Sequence, residues 1–125
     1  MYKDDCACNG KTLSKHVRPA MLAVLASGPT HGYDILQRIS DFELFRDDTG
    51  PDPSGVYRIL KLMEIEGLVS SNWEFGDSGP ARRQFTITDE GVDCLRHWVE
   101  TLSRYRSGLG ELLGVMEHAL REPSR

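Results

Sequence analysis

Long apolar runs are missing from this 125-residue chain. The longest, such as AMLAVLA at 20–26, is far too short to cross a bilayer, so no membrane partner is expected. A basic start followed by an apolar stretch is missing too. The opening MYKDDCACNGK lacks the layout of a signal peptide, and a cytoplasmic location is expected. Cysteine is scarce: Cys6, Cys8 and Cys94 make an odd number, which argues against a disulfide-stapled secreted framework. Basic excess is absent as well, with 15 Lys and Arg against 19 Asp and Glu and a formal net charge of −4. Residues 1–30 carry +2, residues 31–52 carry −4, residues 53–87 balance at zero and residues 88–125 carry −2. No segment is basic enough to announce a nucleic-acid partner by composition, so any such case rests on where the cations sit. There is no internal repeat, no low-complexity segment, and no Ser/His/Asp or paired-carboxylate layout; an enzyme is not expected.

What is present fits one compact soluble domain: 39% hydrophobic and 27% charged residues on a chain long enough for a core. MLAVLA after Pro19 reads as a short buried helix, with Pro19 in the first turn, where a missing N–H costs little. SGP at 27–29 ends it. Thr30 is expected as the N-cap of a second helix, HGYDILQRISDFELF, whose apolar residues Ile35, Ile39 and Phe42 keep helical spacing. After the turn-rich RDDTGPDPS, Asp52 and Pro53 read as N-cap and first position of a third helix. Val56, Leu60 and Met63 form its inward stripe, Tyr57, Arg58 and Lys61 the opposite side, and Gly67 its left-handed close. LVSSNWEF and RRQFTIT then read as the two strands of a hairpin around the loop Gly76–Ala81. Thr88 caps a long last helix that begins with Asp89 and Glu90 at the positive end of its dipole.

The fold class expected is therefore mainly α with a small β-hairpin: a winged helix-turn-helix domain followed by a long C-terminal helix. In that arrangement the third helix enters the major groove of DNA and the hairpin reaches the backbone or minor groove. This gives the paired Arg82 and Arg83 of GDSGPARRQF a task. A Gly/Pro tip approaches a phosphate backbone closely, and adjacent strand positions point to opposite faces. At most one of the two arginines need touch DNA; the other can cover the hairpin or pair with an acid.

The blocks HGYDILQRI, DPSGVYRILKLMEIEGLVSSNWE and GPARRQFTITDEG closely resemble the PadR family of transcriptional regulators, across about residues 18–105. The resemblance implies a winged-helix domain that binds double-stranded DNA, a C-terminal helix that makes a homodimer, repression of genes and, in some members, release of DNA by a small-molecule effector. By position, Tyr57, Arg58 and Lys61 match the recognition helix and Gly79, Pro80, Arg82 and Arg83 match the wing. Tyr33 matches a position near the phosphates, beside Gly32, where helix-start N–H groups receive an anion. The DNA-contacting set expected is thus Tyr33, Ser54, Tyr57, Arg58, Lys61, Arg82 and Arg83. The chain divides into a flexible tail at 1–12, a winged-helix DNA-binding domain at 13–88 and a dimerisation helix at 89–125, and the expected target is a palindromic operator.

In the last helix Leu95, Val99, Leu102, Leu109, Leu113, Met116 and Leu120 follow a heptad interrupted at Arg106. So long a stripe on so short a domain implies a second copy, with Trp98 as an interface anchor or, with Tyr105, a stacking surface for a ligand. Gly108, Gly110 and Gly114 mark a bend, a break or a close helix crossing. Cys6, Cys8 and Cys94, with His97 one turn beyond Cys94, have the ligand types of a zinc or iron–sulfur site. The alternative is a mobile tail and a helical thiol; no cofactor is required by the regulator reading. Two rival functions follow: a winged helix that binds a protein through its acidic surfaces, and a thiol or metal redox sensor.

Overall fold

The computed structural model describes residues 16–46, 52–76 and 79–122. Two compact units divide at residues 95 and 96.

The first unit opens with helix α1, Val17–Ala26, of which seven residues are buried. Pro19 lies in its first turn, as expected, and Gly28 follows its end at φ +145°, a conformation costly for any side chain. Thr30–His31 form a two-residue strand β1, and helix α2 runs Gly32–Ser40. This corrects the expected cap. His31, extended at φ −102° and ψ 158°, stands at the N-cap position, because β3 recruits the Thr30 and His31 backbone into its ladder. The Thr30 hydroxyl donates instead to Asp34 Oδ2 at 2.7 Å. Helix α2 also stops earlier than its apolar spacing suggests. A separate 3-10 turn, Glu43–Phe45, follows, and it buries Phe45 while Phe42 stays exposed. Phe45 thus takes the core place expected for Phe42.

Helix α3, Pro53–Ile65, has both expected ends. Asp52 Oδ1 accepts from Gly55 N at 2.7 Å, and Pro53 holds the first position. At the far end Leu68 N donates to Met63 O and Gly67 N to Glu64 O, with Gly67 at φ +82°, the paired bonds of a Schellman close. Strands β2, Val69–Glu74, and β3, Arg82–Ile87, form the hairpin, and β1 adds to the other side of β3, giving the antiparallel order β1-β3-β2. Met21, Leu22, Leu25, Ile35, Ile39, Val56, Leu60 and Met63 fill the core between the three helices. The architecture is the winged-helix arrangement expected, with one strand more than the hairpin alone.

Helix α4, Asp89–Arg121, begins within the first unit, where Thr88 precedes it. Thr88 Oγ1 accepts from Gly91 N at 3.0 Å and donates to Gly67 O at 2.7 Å. The helix is continuous for 33 residues, which removes a break into two as an option at Gly108, Gly110 and Gly114. Among the described residues, a Cβ at any of those three would meet nothing within 4 Å. No described helix is long and apolar enough to cross a membrane.

Candidate nucleic-acid interface

The 3.6-residue period of α3 buries Val56, Leu60 and Met63 and so leaves Ser54, Tyr57, Arg58 and Lys61 exposed on the other side. Tyr57 is nevertheless held. A Cβ built on Gly32 would lie 2.5 Å from its Cε1 and 2.8 Å from its hydroxyl oxygen, so the ring rests against the first residue of α2. Only glycine leaves that seat open. Tyr33, the next residue, is 67% exposed. Four of the expected contact residues thus lie on α3, with Tyr33 beside the Gly32 seat that Tyr57 occupies.

The hairpin separates its two arginines. Alternation along β3 puts Arg83 on the same face as Phe85 and Ile87, and Arg82 on the face of Gln84. Arg83 Nη2 donates to Glu64 Oε1 of α3 at 3.1 Å, and its Nε donates to Ser71 Oγ of β2 at 2.9 Å. Ser71 Oγ in turn donates to Glu64 Oε2 at 2.6 Å. The guanidinium carbon stands 5.8 Å from the ring centres of both Trp73 and Phe85, within cation–π range. Tyr57, Lys61, Glu64, Ile65, Arg83 and Phe85 line the groove between α3 and the hairpin.

On the opposite face Glu74 is the ladder partner of Arg82, yet its carboxylate is engaged elsewhere. Its Oε1 pairs with His31 Nε2 at 2.6 Å and its Oε2 accepts from Gln84 Nε2 at 3.0 Å. Arg82 and His31 line a second hollow with Glu74, Phe75, Gly79 and Pro80. Gly79 turns the loop at φ +90°. Among the described residues, Arg58, Lys61 and Arg82 make no side-chain hydrogen bond or ion pair. An acidic chain thus presents, among the described residues, three uncompensated cations from α3 and the hairpin, while Glu64 and Glu74 already have partners.

Sequence reasoning did not find Gly32 as the seat of Tyr57, Glu64 as the acid that takes Arg83, or the His31–Glu74–Gln84 set. The available signals were an acid at the end of α3 and a serine alternating along β2; only the register of β2 against β3 joins them.

In the second unit, Val99, Leu109, Leu113, Met116 and Leu120 are exposed, together with Tyr105, Leu112 and Val115. Trp98 and Leu102, and Leu95 at the end of the first unit, are half-buried. The expected stripe is there, and Tyr105 and Leu112 widen it. Cys94 is a free, half-buried thiol; Cys6 and Cys8 lie outside the described residues. Among the described residues no three His, Cys, Asp or Glu side chains come together as a metal-ligand set.

Residues 21–97 match the PadR-like family of transcriptional regulators. No curated protein matches the chain. Among solved structures, Bacillus subtilis PadR in complex with operator DNA is 27% identical, covering 66% of this chain and 45% of its own at a TM-score of 0.58. A PadR-family transcriptional regulator from Eggerthella lenta is 26% identical over 74% of this chain and 80% of its own, with a TM-score of 0.60. A third, from Clostridium difficile, shares the fold at a TM-score of 0.69, with 21% identity over 78% of this chain and 98% of its own. The match spans α1 through the root of α4, including the helix, the seat of Tyr57 and the wing, and on that extent the chain belongs to the PadR-like family of transcriptional regulators.

Proposed function

We propose that this regulator binds double-stranded DNA as a homodimer, recognises a palindromic operator and represses from it. The observation that carries the reading is the set of three uncompensated cations, Arg58, Lys61 and Arg82, on the helix and wing of an acidic chain. Ser54, Tyr57, Arg58 and Lys61 face the major groove, Tyr33 meets a phosphate beside the start of α2, and the wing follows the backbone. The operator complex of Bacillus subtilis PadR, 27% identical to this chain, supports the DNA reading. The exposed row from Val99 to Leu120 supports the homodimer, since an apolar helix face of this length buries itself against another chain. Two-fold pairing presents two recognition helices to one duplex, hence the palindrome.

The test is a salt titration of binding to a duplex selected by the protein from a random-sequence pool. Affinity should fall steeply as salt rises, and reversal of Arg58 and Lys61 to glutamate should abolish it. Binding indifferent to salt, or retained by the reversed protein, refutes the reading. The same charge reversal would spare a protein partner held by the acidic surfaces, which separates that rival function.

A further inference from the structure

We propose that the two wing arginines have different tasks: Arg83 is a positioning residue that fastens the hairpin to the recognition helix, and Arg82 is the wing's phosphate contact. The inference deepens the DNA-binding reading and rests on it.

Three elements meet at Arg83. Glu64 comes from α3, Ser71 from β2 and Arg83 itself from β3, and their bonds close a triangle: Arg83 to Glu64, Arg83 to Ser71, Ser71 to Glu64. Each carboxylate oxygen of Glu64 has a donor. The planar fork of arginine fits this task, since Nε and Nη2 reach two acceptors at once. Pulling Arg83 away toward a phosphate would strand a partly buried carboxylate beside a polyanion and give up the contacts over Trp73 and Phe85. Arg83 therefore stays, and its charge is spent on Glu64.

Arg82 is in the reverse position. Its nearest acid by register, Glu74, has both oxygens taken by His31 and Gln84, so an acid directly across the ladder leaves Arg82 uncompensated. The triangle fixes the tip-side half of the hairpin on α3 and thereby sets the distance at which Arg82 stands from Arg58 and Lys61.

The experiment measures Kd for the selected duplex across a salt series, using full-length wild-type protein and the variants Arg82→Gln, Arg83→Gln and Glu64→Asp. Arg82→Gln should flatten the slope of log affinity against log salt by about 0.9 per protomer, one phosphate contact. Arg83→Gln should leave the slope unchanged and raise Kd roughly threefold to tenfold, because the wing must be ordered on binding. Glu64→Asp keeps the charge but falls one methylene short; it should raise Kd by a similar factor. If Arg83 instead touched a phosphate, Arg83→Gln would lower the slope and Glu64→Asp, by releasing it, would tighten binding; either result overturns the proposal. Should Arg83→Gln not fold, Arg83→Met replaces it, since a thioether of similar reach donates to neither acceptor; wild-type affinity there also overturns it.

Amide exchange in DNA-free protein separates the two layers. Exchange at Ser71–Trp73 should speed up in Arg83→Gln and Glu64→Asp and stay unchanged in Arg82→Gln. Unchanged exchange in all three refutes the fastening. If no duplex is selected while the exchange pattern appears, the DNA-binding reading has failed and Arg82 loses its task, with the fastening intact.

Discussion

Gly32→Ala should uncouple DNA binding from stability. Gly32 has no left-handed backbone, so alanine is permitted there and gains up to ~1 kcal/mol of helix propensity, less in a first turn. The added methyl, however, would stand 2.5, 2.6 and 2.8 Å from Cε1, Cζ and the hydroxyl oxygen of Tyr57. Carbon atoms pack at about 3.5–4.0 Å, so the ring must retreat by roughly 1 Å or more. Tyr57 is 49% exposed, which lets it swing into solvent at a cost of about 1 kcal/mol in lost burial. The two terms offset, and urea denaturation should show a net change within about 1 kcal/mol. Binding should not be spared. If Tyr57 contacts DNA as proposed, displacing it costs about 1–3 kcal/mol, so Kd rises roughly tenfold to hundredfold, read by fluorescence anisotropy of the selected duplex. Tyr57→Ala should lose a similar amount, and adding Gly32→Ala to it should change little further, since both act through one ring. A stable Gly32→Ala protein with wild-type affinity would show that the position of Tyr57 on Gly32 has no part in binding.

Gly91→Ala should destabilise the protein outright, because its Cβ would meet the backbone carbonyl of Leu68 and stand 2.7 Å from Ile87 Cγ1; a loss of about 1–3 kcal/mol in chemical denaturation is expected. Asp52→Ala removes the α3 cap and should cost about 1 kcal/mol, seen as a lower urea midpoint at unchanged slope. Leu109→Glu with Leu113→Glu puts charge into the exposed row of α4 and should shift the sedimenting mass from dimer to monomer, with DNA affinity falling alongside. A double variant that sediments as a dimer would relocate the interface.

The ends of α3 were legible because their signals are local. Asp52, Pro53 and Gly67 each act within four residues of their own position, and each is found doing so. Thr88 is legible for the same reason. Strand β1 was not: two residues carry no alternation, and Thr30 resembles a helix cap until the register places it opposite Phe85. Phe42 and Phe45 show how a helical period misleads when the helix itself stops at Ser40. At the interface, exposure of Tyr57, Arg58 and Lys61 follows from the buried stripe beneath them, so period alone reveals it. The unequal fates of Arg82 and Arg83 do not follow, because they depend on Glu64 and Glu74, met only across the folded sheet. Continuity of α4 through three glycines was undecidable from propensity, since the Glu, Leu, Met and Ala around them favour the helix that the glycines weaken.

The two-residue reach of β1 has one more effect. It pairs with β3 at Gln84 and Phe85, so among the described residues that strand has, from Arg83 outward, a neighbour on the β2 side alone. A bare strand margin invites another copy to add on, and long cations are among the devices that deter it. Arg82 and Arg83, the phosphate contact and the brace of our proposal, would therefore also keep wings from zipping together, and a wing rebuilt from neutral strand formers would become prone to clump.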